Sequence, residues 1–407
     1  MQRIGGALTH RDFRLLWFAA LGSTIGTWMQ KYAQSVLVFR LTESSFYLAL
    51  DDFLAQLPIL LLMLIGGVVA DRYDRRRLLT WSQYVQASTA FALAALVLTG
   101  QVAIWHILTL SVVTGCAQAF GGPAYQSLIP SLVPRRDLPN AIALNSSQFN
   151  LSRVLGPAGG TAIIAALSIA WCFFLNALSF FLVVLALAAI RPVSAARSGP
   201  QKALVAELRG GLSYVRGHRL MLTLVLLVVV STFLAMPILT LLPTFAYRVL
   251  EGAGGAPETR LSTLMALQGL GAITGALIIG SVGRFKHMGM GLLAIQLLMG
   301  LLIAAFGMSS VPAISYALIF FCGITFMGLF SMSFSIVQLA VPEELRGRVV
   351  SIYMVALRGG GPLGGLAAGA LADLWSAPVV MTVNGLLLAV VTVGIYLSGR
   401  GRSLREI

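Results

Sequence analysis

The chain has 407 residues, 58% of them hydrophobic and only 10% charged. A soluble domain carries about 25% charged residues, so a water-facing surface is excluded and lipid is the solvent that suits this one. The net charge of +14 does not signal nucleic acid, because the basic residues form short clusters between apolar runs and no single stripe.

The first apolar run, 14–39, is too long for a signal-peptide core and has no small-residue cleavage site, so it reads as a membrane span. Further spans follow at 46–70, 78–99, 103–126, 139–165 and 168–190, then at 220–247, 261–283, 288–308, 312–338, 349–373 and 378–398. Each is near the length of about 20 residues that crosses the hydrocarbon core. Lipid leaves no backbone group unsatisfied, so these are helices or a closed barrel. Barrel strands alternate over about 10 residues, and these runs do not. The expected fold class is an all-α polytopic membrane protein with twelve transmembrane helices in two pseudo-symmetric six-helix bundles.

The stretch 191–219, with Pro192, Ser194, Gly199 and Pro200, is the longest break between spans and reads as a cytoplasmic linker with a short amphipathic helix. The expected division is therefore a bundle over 1–190, a linker over 191–219 and a bundle over 220–407. With the N-terminus in the cytoplasm, the outer loops keep only Arg40, Arg248 and Arg260, while nearly all other Lys and Arg fall inside. This asymmetry predicts cytoplasmic termini. The halves also repeat. Arg153, Gly156, Pro157, Gly159 and Gly160 recur as Arg358, Gly361, Pro362, Gly364 and Gly365, which puts the fifth and eleventh spans in register. Such repeats place a substrate path between the halves.

Cys116, Cys172 and Cys322 lie in separate runs, and the four histidines are scattered, so neither a disulfide framework nor a metal site is expected. No phosphate-binding loop is present, and no cofactor is expected.

Charges at membrane depth are costly and are usually buried or functional. Here they are Lys31, Asp51, Asp52, Arg153 and Arg358. Lys31 and the Asp pair flank the outer turn near 41–44 at similar depth, which permits an ion pair. Adjacent helical residues point about 100° apart, so at most one Asp faces Lys31 well. The other, or the pair as it breaks, is a candidate proton carrier; the alternative is that both reach the outer headgroups and stay solvated. Ser146, Asn150 and Arg153 share one helix face that Pro157 continues, flanked by Asn145 and Phe149. That stripe faces the pathway or a partner helix. Arg153 then binds an anionic or carbonyl-rich substrate, or forms a fixed interhelical pair, the reading favoured by its symmetric counterpart Arg358.

The strongest local motif is Gly67-Val-Val-Ala-Asp71-Arg72-Tyr-Asp74-Arg75-Arg76-Arg77. It resembles the loop signature of the major facilitator superfamily, with Asp74 in place of the second glycine. The stretch from Val133-Pro134-Arg135-Arg136-Asp137 through Asn150, Arg153 and Gly156-Pro157 resembles the branch that includes the enterobactin exporter and macrolide efflux proteins. The resemblance implies efflux of small organic molecules driven by protons across the bacterial inner membrane. It also implies that Asp71 meets the start of the eleventh helix near Val349 as a latch. Arg72, Arg75 and Arg76 then hold a second charged partner or only set topology. Gly156-Pro157 and Gly361-Pro362 serve as hinges or as tight packing. Two antiporter features are absent. Only Ala158 separates Gly156-Pro157 from Gly159-Gly160, and Ser111 stands where an Arg is frequent.

The expectation is a transporter and not an enzyme: a single chain in lipid, exporting a siderophore-like or drug-like molecule against protons. The alternatives are an uptake symporter or facilitated-diffusion carrier on the same fold and, remotely, an integral membrane enzyme.

Overall fold

The computed structural model describes residues 6–190, 204–251, 254–283, 286–398 and 404, without the side chains of 63, 64, 68, 70–72 and 204–209. All regular structure among these residues is helical. The first half holds α1 (Arg11–Thr42), α2 (Ser45–Arg72), α3 (Arg75–Leu98), α4 (Ile104–Leu128), α5 (Leu138–Ala166) and α6 (Ile169–Ala189). A short helix α7 (Leu204–Gly217) follows. The second half holds α8 (Arg219–Ala235), α9 (Pro237–Thr244), α10 (Pro257–Val282), α11 (Met288–Met308), α12 (Pro312–Ala340), α13 (Glu343–Leu374) and α14 (Ala377–Leu397).

Every span expected from the sequence falls on one of these helices, and most helices run past their apolar runs into polar residues. The exception is the seventh span. Pro237 has no amide hydrogen to donate, and the run breaks there into α8 and α9, which winds on into a π turn over Phe245–Val249. Nine helical segments among the described residues are long and apolar enough by themselves to cross a membrane. The three remaining long helices, α1, α3 and α5, carry the arginines, glutamines and asparagines that lower their hydropathy. The segment 191–203 of the expected linker lies outside the described residues, and α7 occupies its later part.

The chain divides into two compact units, one of residues 1–43 and 51–199, the other of 44–50 and 200–407. In the first, α1 packs on α5 and α6, and α3 packs on α4 and α6. In the second, α8 packs on α13, α11 on α12 and α14, and α10 on α12. These pairings follow the internal repeat: α1 with α5 corresponds to α8 with α13, and α3 with α6 to α11 with α14. Lipid is as apolar as these side chains, so close backbone approach and hydrogen bonds do the joining.

Residues of the loop between α2 and α3 tie the first unit together. Asp74 is extended (φ −61, ψ 109) and its carboxylate accepts from the Arg76 amide, so it caps the N-terminus of α3. That is a physical reason for an aspartate at the position where the superfamily pattern has glycine. Arg75 donates to the Ser127 carbonyl at 3.2 Å. Arg76 donates to the Ala188 and Ile190 carbonyls at 3.1 and 3.3 Å, placing a cation at the negative end of α6. The N-terminal turn is pinned to the start of α5 by His10 on Asp137 (2.8 Å) and by the Ala7 amide on Asn140 (2.9 Å). The hydrogen bond from His10, followed by the Arg136 charge, holds the Asp137 carboxyl below its ordinary range.

In the second unit, Asp373 near the end of α13 accepts the amides of Ser45 (2.7 Å) and Phe46 (3.1 Å) and the Ser44 hydroxyl. It thereby supplies the N-terminal cap of the first turn of α2, which groups with this unit.

Candidate functional site

The first unit encloses a cavity of about 580 Å³ lined from α1 to α6. Its wall is rich in amides: Gln30, Gln34, Gln56, Gln83, Gln86, Gln118, Gln126, Gln148, Asn145 and Asn176. Lys31, Asp51 and Asp52 also line it. Such a wall offers many donors and acceptors and few fixed charges.

Glycines set which side chains meet. A Cβ on Gly115 of α4 would collide with the Ala55 carbonyl of α2. Only glycine permits that approach, and one turn earlier on each helix it brings Ser111 opposite Asp51. A Cβ on Gly156 of α5 would lie 2.5 Å from the Trp28 Cβ and 2.8 Å from the Met29 amide. That contact carries α5 onto α1 and puts Arg153 over the Trp28 ring.

The two aspartates part company as their angular offset requires. Asp52 Oδ1 accepts from Lys31 Nζ at 2.9 Å. Asp51 turns to neutral partners instead. Gln34 Nε2 donates to its two oxygens at 2.9 and 2.8 Å, and Ser111 Oγ donates to Oδ1 at 2.5 Å. Two cations lie near Trp28, with Lys31 Nζ 5.8 Å and Arg153 Cζ 5.4 Å from its ring centroid. Phe149 meets the same ring edge-on at 5.7 Å. The cations and the two rings make one face suited to a flat, electron-rich group.

Around them the amides cross-link the helices. Asn176 donates to Gln30 at 2.6 Å, Gln148 to Thr24 at 3.1 Å, Gln118 to Gln86 at 3.1 Å and Tyr125 to Asn145 at 2.9 Å. Asn150, expected on the pathway face, donates instead to the Ser146 carbonyl of its own helix and is absent from the cavity wall.

Arg358, the repeat counterpart of Arg153, is exposed on α13. Gly361 packs 3.2 Å, measured from a built Cβ, from Met236, and both Pro157 and Pro362 are buried in their units. Gly67 has open space around it, and the side chains of Asp71 and Arg72 lie outside the described residues.

Sequence reasoning found Lys31, Asp51, Asp52 and Asn145 on the cavity wall, but not Gln34 and Ser111, which hold Asp51. Gln34 was legible in principle: it and Asp51 stand at about equal distance from the turn at 43–44. Ser111 drew notice only for the arginine it replaces. Among the described residues no three His, Cys, Asp or Glu side chains converge as a metal site.

The second unit has a different hollow, about 420 Å³, between the C-terminal ends of α10 and α12. Its wall holds Ser331, Ser335 and Gln338 among apolar residues and glycine, and no charged group among the described residues.

Comparison with known proteins agrees in layout along nearly the whole chain. The multidrug efflux pump Tap of Mycolicibacterium fortuitum is 26% identical over 93% of this chain and 94% of its own length. The enterobactin exporter EntS of Citrobacter koseri is 24% identical over 94% and 90%. The crystal structure of the nucleoside transporter NupG superposes with a TM-score of 0.75 at 13% identity, covering 95% of this chain and all of that one, which speaks for the fold alone. Residues 6–400 match the family described as transmembrane secretion effectors. The chain therefore belongs to that family of the major facilitator superfamily, an all-α, multi-pass group of membrane transporters.

Proposed function

We propose that this chain exports small organic molecules, siderophore-like or drug-like, from the bacterial cytoplasm in exchange for protons. The observation that carries the reading is the polar cavity of the first unit, which holds Lys31, Asp51 and Asp52 at membrane depth in a chain of the secretion family. Uncompensated charge at that depth is kept only for a purpose. The exporters among its relatives support the direction.

In this proposal the bundles 1–190 and 220–407, joined by 191–219, expose the cavity alternately to each side, with both termini in the cytoplasm and one chain as the working unit. Asn145 and Arg153 contribute to the pathway. Gly67, Asp71 and Arg72 close the cytoplasmic side, with Arg75 and Arg76 bracing the loop, while Gly156-Pro157 and Gly361-Pro362 flex as the bundles rock. The work is transport, and no bond in the substrate changes.

Everted membrane vesicles test this. Their lumen is acidified by respiration, and ethidium is the probe. Export by antiport is expected to drive ethidium into the lumen and to release it when a protonophore is added. Accumulation that persists after the gradient is collapsed, or movement only in the direction of the protons, would overturn the proposal in favour of facilitated diffusion or symport.

A further inference from the structure

We propose that Asp51 is the group that takes up and releases the coupling proton, while Asp52 is the permanent counter-ion of Lys31. The proposal rests on the proton-coupled reading above and assigns its two carboxylates separate tasks.

Charge separates the two carboxylates. Lys31 Nζ bonds Asp52 Oδ1 at 2.9 Å, so that pair is neutral as a unit. Protonating Asp52 would leave an uncompensated ammonium at membrane depth. Asp51 has no cation among its hydrogen-bond donors, which are the Gln34 amide and the Ser111 hydroxyl. Protonating it removes a charge and creates none. The charged groups that bear on it are Asp52 beside it and Lys31 from α1; Arg153 on α5 acts on Lys31. From α3 and α4 the cavity wall is neutral, with Gln83, Gln86, Thr89, Ser111 and Thr114.

Hydrogen-bond polarity separates them as well. An ionised carboxylate only accepts, and a protonated one must also donate. Ser111 Oγ, at 2.5 Å, is donor and acceptor alike and turns by rotation about one bond. Gln34 Nε2 also lies 2.9 Å from Ser111 Oγ, so the amide and the hydroxyl support each other as well as the carboxylate. The trio Asp51, Ser111 and Gln34 can thus be satisfied in both protonation states. Lys31 carries three donors and no acceptor, so the Asp52 pair is satisfied only while ionised. The register of the trio is fixed where Gly115 meets the Ala55 carbonyl, one turn along both helices.

The site also faces the cavity, so a proton reaches it from whichever side the cavity is open. Asp51 is the proton-binding residue. Ser111 and Gln34 are positioning residues.

Infrared difference spectroscopy of the purified full chain, stepped across neutral pH, reads protonated carboxyl groups directly by their C=O stretch and needs no substrate. A single carboxyl band is expected to rise as pH falls. It should be lost in Asp51→Asn and retained in Asp52→Asn. Ser111→Ala should shift it to higher frequency, and Ser111→Thr should restore the wild-type position. A band that survives Asp51→Asn, a band lost in Asp52→Asn, a band indifferent to Ser111→Ala, or no titrating band would each overturn the assignment. The Ser111 variants keep the test decisive even if Asp51→Asn fails to fold. Ethidium transport in everted vesicles separates the two proposals. A titrating Asp51 band without gradient-driven transport sinks the antiport reading and leaves the proton site standing. Gradient-driven transport unchanged in Asp51→Asn does the reverse.

Discussion

The two units share a helix-pairing scheme and differ in what they enclose. In the first, the helices surround amides, hydroxyls and an ion pair that bond one another across the cavity. In the second, the hollow between α10 and α12 is lined by no charged side chain among the described residues, and buried polar atoms of Gln296 and Ser231 have no hydrogen-bond partner there, as single amide oxygens of Gln83 and Gln148 have none in the first. Gln296 is fully buried with both ends of its amide unsatisfied. Among the described residues, a duplicated scaffold has thus lined its cavity with charged groups in one copy and not in the other. The lesson is that pseudo-symmetry of backbone packing says little about symmetry of work: Arg153 and Arg358 match in sequence, yet one lies over Trp28 and the other is exposed.

Breaking the first unit's ion pair should give the largest effect. Lys31→Met leaves Asp52 without its cation, and gradient-driven ethidium transport is expected to vanish. The stability loss is modest, about 1 kcal/mol, because both side chains keep partial exposure (53% and 28%). A second change, Asp52→Asn, should recover the thermal midpoint in a fluorescence melt and not the transport.

Arg153→Lys is next. Moving from a planar guanidinium to an ammonium over Trp28 forfeits stacking worth about 0.5–1 kcal/mol, and the apparent ethidium affinity should weaken by about threefold. Arg358→Lys, the matched change in the other unit, should leave that affinity alone. Equal losses at both sites would erase the contrast between the units.

Gln296→Leu sharpens the comparison with the opposite sign. Replacing an unpaired buried amide by an apolar group removes a desolvation penalty of about 1–3 kcal/mol, so the melt should shift upward. Gln86→Leu in the first unit deletes bonds to Ser82 and Gln118 and should shift it downward.

The smallest effect is electrostatic and lies at the N-terminal turn. The Asp137 carboxyl is held below its ordinary range in the folded chain, so its contribution is full above that range and is lost as pH falls through the lowered value. The protection of the amides of residues 7–10, taken relative to their intrinsic exchange rates, should fall in acid. In Asp137→Asn it should be low at all pH values.

Much of the fold was legible because a span announces itself by length and hydropathy. The break at Pro237 was less so, since the surrounding residues stay apolar and only the missing amide marks it. The first turns of α13, from Glu343, were missed for the opposite reason: they are helical through charged residues, which carry no span signal. In the site, Lys31 and the aspartates stood out because charge is rare at depth. Ser111 and Gln34 did not, because neutral polar residues are common in helices and their importance comes from a partner on another helix. Asp74 was visible only as a departure from a pattern, and its role as a cap emerged from its extended backbone.

The bonds from Arg76 to Ala188 and Ile190 have a consequence for how the chain is made. Their carbonyls are synthesised more than a hundred residues after the arginine, so the guanidinium leaves the ribosome long before its acceptors exist. Until the sixth helix is in the bilayer, the loop after α2 keeps its arginines in water. They become a structural clamp only afterwards. One side chain is therefore a solvated charge early in biogenesis and a fastener late in it. Chains truncated before residue 188 should insert and yet remain loose at the end that carries this loop.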